Sequence, residues 1–102
     1  MDIQKLTELM HQFVDSQGWY AENSARPQTL RNLAISLNLE ASEVLEYFQW
    51  GEDNLDIEGF AEELADVALY LLQLASLANV NLENAILQKL ERNYHRTWDN
   101  KS

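Results

Sequence analysis

Only three glycines and one proline interrupt this chain of 102 residues, so there are few places where a helix must break. Gly18, Pro27 and Gly51 fall between runs of apolar residues that step by three and four. Residues 3–16 carry Ile3, Leu6, Leu9, Met10, Phe13 and Val14 at helical spacing. Gly18 stops that run, and Gln17 to Pro27 reads as a loop holding Trp19 and Tyr20. A second helix is expected over 28–50, through Leu30, Leu33, Leu37, Ala41, Val44, Leu45 and Phe48, closed by Gly51. A polar turn from Glu52 to Asp56 leads into a third helix over 57–78. It is broadly apolar after Asp66 and is expected to be the most buried element. Asn79 and Val80 turn the chain, and Asn81 is the expected N-cap of a last helix through Leu82, Ala85, Ile86, Leu90 and Tyr94. The spacing predicts an all-α fold, a compact bundle of four main helices forming a single domain over 1–102.

Charge narrows the function. The formal net charge of -10 disfavours nucleic acid as a partner, because phosphate contacts need a basic surface. No apolar run approaches the ~18 residues of a membrane span, and no signal-peptide core opens the chain, so a cytoplasmic location without a membrane partner is expected. With no cysteine, a disulfide framework and a thiolate zinc site are both excluded. No lysine or arginine lies between Arg31 and Lys89, yet ten of the 17 acidic residues lie between Glu40 and Asp66.

The acidic residues follow a pattern. Ser36, Glu40, Glu43, Tyr47 and Trp50 step by four and three, which puts them on one helix face. Gly59, Glu63, Asp66, Tyr70 and Gln73 step the same way on the next helix, and Lys89, Asn93 and Arg96 do so on the last. If the two acidic stripes face each other, four carboxylates converge with no cation of their own. They would then raise each other's pKa. A hard divalent cation, Mg2+ or Mn2+, relieves this through oxygen ligands. Di-iron chemistry is disfavoured, since neither His11 nor His95 follows a glutamate by three. The non-enzymatic alternative is an acidic helical interaction module, with the carboxylates as a partner-binding face.

Taken together, Glu40-x-x-Glu43, Phe48-Gln-Trp50, Glu63-Leu-Ala-Asp66-Val with Tyr70, and Lys89-x3-Asn93-x2-Arg96 resemble the MazG-like all-α nucleoside triphosphate pyrophosphohydrolases. The Phe-Gln-Trp signature, and Trp19 after Phe13, look most like the small dCTPase-type branch. The resemblance implies Mg2+-dependent hydrolysis of (deoxy)nucleoside triphosphates to monophosphate and pyrophosphate, with dCTP-like substrates favoured and nucleotide-pool clearing as the role. It implies that Glu40, Glu43, Glu63 and Asp66 hold the metal, with Glu43 and Glu40 the catalytic carboxylates. Lys89, Asn93 and Arg96 would touch phosphates, while Trp50, Tyr70 and Trp19 would line the base or sugar pocket. It also implies a homodimer or homotetramer with sites near a subunit interface. Leu69, Leu72, Leu77 and Trp98 point the same way, as more apolar surface than one bundle covers. The chain departs from the branch at its base end, where the loop from Trp19 to Arg31 is several residues longer and a base-stacking histidine falls nearest Met10, one position from His11.

Overall fold

The computed structural model describes residues 1–97, which form four helices: α1 (Ile3–Ser16), α2 (Leu30–Glu46), α3 (Ile57–Leu77) and α4 (Leu82–Tyr94). No strand occurs among the described residues, and the fold is all-α. Trp98, expected at an interface, lies outside them.

Each helix begins on a side-chain cap. Asp2 accepts from the Lys5 N–H at 2.8 Å, Thr29 from Asn32 at 3.1 Å, Asp56 from Gly59 at 3.2 Å and Asn81 from Asn84 at 3.0 Å. Such a cap contributes about 1 kcal/mol by satisfying an orphan N–H. Two helices end in the same left-handed turn. Gly18 (φ 74°) lets its N–H reach the Asp15 carbonyl, while the Trp19 N–H reaches Val14. Asn79 (φ 59°) repeats the pattern, with its own N–H on Ser76 and the Val80 N–H on Ala75. The first of these turns fixes where Trp19 emerges.

The second helix is shorter than its periodicity predicts. It starts after the Thr29 cap and stops at Glu46 rather than running to 50. Beyond Glu46 the backbone tightens into i→i−3 bonds, Phe48 N–H to Leu45 and Gln49 N–H to Glu46. Tyr47 and Phe48 instead present their rings edge-on to Phe60, at centroid distances of 5.9 and 5.6 Å. Two such contacts, each about 0.5–1.5 kcal/mol, offset the helical bonds given up. Gly59 makes room for this, since a Cβ there would lie 2.6 Å from the Tyr47 hydroxyl.

α3 is the central element, packed against α1, α2 and α4. Among the described residues the buried apolar side chains are Met10, Val14, Leu33 and Leu72, and the one buried polar side chain is Gln73. Leu72 therefore does not belong to the uncovered apolar surface expected of it. It faces the α1 side, near Thr7 and His11. Leu64, Leu69, Leu71 and Leu77 stay exposed in the single chain, so the most buried helix is covered on only part of its circumference. The α1 stripe also divides. Met10 and Val14 are core, whereas Leu6, Leu9 and Phe13 are partly exposed and line a cavity. α4 leaves α3 at 102°. Among the described residues, no single helix is long and apolar enough to cross a membrane.

Candidate metal centre and adjoining cavity

Glu40 and Glu43 lie one turn apart on α2, and Glu63 faces them from α3. One carboxylate oxygen from each lies within 4.8 Å of the others. Oε2 of Glu40 and Oε2 of Glu63 are buried with no hydrogen-bond partner. A buried oxygen left unpaired costs free energy, more so when charged. Burial, followed by contact with Glu40 and Glu43, pushes the Glu63 pKa up to about 7. Glu40 is also raised, first by burial and then by Glu43 and Asp66, against a lowering contact with Glu63. Desolvation, then the charge of Glu63, raises the Tyr47 phenol. The trio offers only carboxylate oxygens, which is what a hard divalent cation takes once it displaces the proton they share. Asp66 stands outside the 4.8 Å trio, although its charge reaches Glu40 and its side chain lines the cavity beside it.

That cavity, of about 690 Å³, runs along α3 past Asp66, Tyr70 and Gln73. Its apolar wall comes from Leu6, Leu9 and Phe13 of α1 together with Trp19. The Trp19 ring meets Phe13 edge-on at 5.7 Å and carries the Arg26 guanidinium 5.2 Å from its centroid. Tyr70 and Trp19, both expected at a base pocket, thus share one cavity.

The remaining expected site residues lie elsewhere in the single chain. Trp50, beyond the end of α2, is 92% exposed and does not line the cavity. Lys89 is exposed on α4, Asn93 is half-buried and Arg96 is exposed just past the helix. α4 starts from the far end of α3, about 16 Å along the axis from Asp66, and then turns away.

The sequence stripes placed Gln73 in line with Tyr70 but gave it no role. At 3% exposure it is a buried amide in a segment otherwise almost wholly apolar. Its Nε2 donates to Gln28 Oε1 at 2.8 Å and to the Tyr20 hydroxyl at 3.2 Å. Tyr20 contacts His11 Nδ1, and His11 Nε2 lies 2.7 Å from Ser76 Oγ. Burial raises the Tyr20 pKa, so its proton stays in place at neutral pH. His11 therefore joins α1, the loop and α3.

Residues 35–101 match the MazG-like family, a stretch that includes all four carboxylates. The chain belongs to the MazG-like family. It is 30% identical over 103 residues to mouse dCTP pyrophosphatase 1 and 31% identical to the human protein of that name. Each alignment takes in 92% of this chain but only 58% of the relative's length. Among solved structures, a pyrophosphatase from Archaeoglobus fulgidus superposes with a TM-score of 0.76 at 33% identity, over 90% of this chain and 88% of that one. The family match of this MazG-like chain starts at Ile35, so α1, Trp19, Gln28 and Asn32 lie outside it. The stretch before Ile35 makes most of the cavity wall.

Proposed function

We propose that this MazG-like chain is one pyrophosphohydrolase domain that hydrolyses (deoxy)nucleoside triphosphates to monophosphate and pyrophosphate with Mg2+, favouring dCTP-like substrates and clearing them from the nucleotide pool. The observation that carries this is the trio Glu40, Glu43 and Glu63, with two buried, unpartnered oxygens, next to Asp66, which lines a nucleotide-sized cavity. A solvated acidic face, as the interaction-module alternative requires, gives no reason for such convergence.

Glu40, Glu43 and Glu63 would hold the cation, with Asp66 beside them; Mg2+ fits the donor set and Mn2+ can replace it. When bound, the ion neutralises phosphate charge and makes water a better nucleophile. Glu43, the exposed member of the trio, is placed to accept the proton of an attacking water, and Glu40 orients it. Trp19 and Tyr70 flank the base. The diagnostic experiment incubates a panel of nucleoside triphosphates with Mg2+ and separates the products by ion exchange. Monophosphate plus pyrophosphate is expected, and release of orthophosphate would overturn the assignment.

Phosphate contacts from Lys89, Asn93 and Arg96, and a base contact from Trp50, require a second copy of the chain, because these residues lie away from their own cavity. The surface supports assembly. The chain exposes 8226 Å², whereas a folded monomer of this mass exposes about 5,900 Å². Leu69 and Leu77 on α3, and Ile86, Leu87 and Leu90 on α4, are exposed apolar side chains that a homodimer or homotetramer would cover. Sedimentation at micromolar concentration is expected to give a dimer or larger. A monomer would remove α4 and Trp50 from the site.

A further inference from the structure

Two backbone carbonyls decide how the cavity's amides point. Gln28 Nε2 donates to the Arg26 carbonyl at 2.7 Å, which turns Gln28 Oε1 toward Gln73. Gln73 must then present Nε2 to Gln28, and the same nitrogen serves Tyr20. Asn32 Nδ2 is likewise committed to the Pro27 carbonyl at 3.0 Å. Backbone carbonyls only accept, so neither Gln28 nor Asn32 can flip without losing its bond.

The consequence is a bias in what the cavity offers. All three amides line it; Gln73 commits both hydrogens of its NH2, and Gln28 and Asn32 commit one each, which fixes the orientation of all three. The hydrogen bonds of the described residues leave Gln73 Oε1 and Asn32 Oδ1 without a donor. Gln73 lies seven residues past Asp66 on the same face of α3, about 10 Å along the helix. One nucleotide bridges that distance, with its phosphate at the carboxylates and its base against Gln73.

We infer that Gln73, held by Gln28 and Tyr20, is a specificity-determining residue whose side-chain carbonyl accepts a hydrogen bond from the exocyclic amino group of a bound base. This rests on the nucleotide proposal above. A base with a carbonyl at that position brings an acceptor against fixed acceptors. Its ring N–H lies one atom further along the base edge and meets the Gln73 carbonyl only if the whole base shifts, while the Gln73 NH2 is already spent on Gln28 and Tyr20. A site built to bond one partner rejects an analogue that cannot bond, because its own buried polar group is left unpaired.

The test separates base reading from catalysis by using monophosphates, which need no turnover. With the full chain and Mg2+, calorimetric titration compares dCMP with dUMP, and dAMP with dIMP, each pair swapping an amino group for a carbonyl. The amino partner is expected to bind at least about tenfold more tightly in one pair or both, and Gln73→Met is expected to bring that ratio within about threefold. Should Gln73→Met fail to fold, Gln28→Met carries the test, since it frees the Gln73 amide to turn and is expected to lose the discrimination too. Equal binding in both pairs by the wild-type protein, or full discrimination in a folded variant, would overturn the inference. A protein that discriminates in binding yet hydrolyses no triphosphate sinks the catalytic proposal and leaves this one standing.

Discussion

Glu63→Gln is expected to lower triphosphate hydrolysis by at least about a hundredfold, the scale for losing a principal electrostatic group at a reacting centre. Glu63 is the single contribution of α3 to the carboxylate trio, so without its charge only the α2 pair remains. The amide keeps the size of the side chain, so packing against α2 is preserved. Its new NH2 can donate to the unpartnered Glu40 oxygen, which the carboxylate could not do. Folding without metal is therefore expected to stay level or improve at pH 8, even as activity disappears. Opposite movement of the two quantities identifies a residue placed for chemistry and not for stability. Monophosphate release and thermal melting, measured on the same preparation, check both. Wild-type turnover in Glu63→Gln would remove this carboxylate from the site, and outright unfolding would make its role structural.

Helical periodicity located all four helices, because breakers and caps are local signals. Gly18, Asn81 and Asp56 each act within a few residues of themselves in the chain. The carboxylate trio was legible for a related reason, since i,i+3 spacing fixes a face and the absence of cations from 32 to 88 leaves that face uncompensated. What periodicity could not see was competition from distant residues. The second helix stops at Glu46 because Phe60, on another helix, offers two ring contacts. The α1 stripe is one continuous apolar helix face in the sequence, yet Leu6, Leu9 and Phe13 face a cavity, and no pattern in one helix says whether its apolar face meets protein or open space. The amide network escaped entirely, since Gln28 and Tyr20 lie far from Gln73 in sequence and meet it only through the fold. One local signal was present: a glutamine inside Leu71-Leu72-Gln73-Leu74 must find partners if it is buried.

Metal and pH are expected to act on stability through the same group and with opposite sign. Glu63 has its pKa pushed up to about 7 in the fold, against an ordinary value of 4.5. The folded chain thus binds a proton there more tightly than the unfolded chain does, and stability falls as pH rises across that interval. The contribution is fully present below the ordinary value and is lost as pH climbs through about 7. Without metal, the protein should melt at a higher temperature at pH 5 than at pH 8. A net charge of -10 adds a general self-repulsion of the same sign, so Glu63→Gln is the control, and the part of the slope belonging to Glu63 should vanish in it. Mg2+ reverses the preference, because it competes with the proton for the same oxygens. At a hundred times its Kd, a ligand of the folded state contributes about 2.7 kcal/mol, which for a chain of this length raises the melting temperature by roughly 10–20 °C. The rise should be large at pH 8 and small at pH 5, where protons already occupy the site. Scanning fluorimetry over both pH values, with and without metal, measures all four corners. Equal Mg2+ shifts at pH 5 and pH 8 would place the ion somewhere other than Glu40, Glu43 and Glu63.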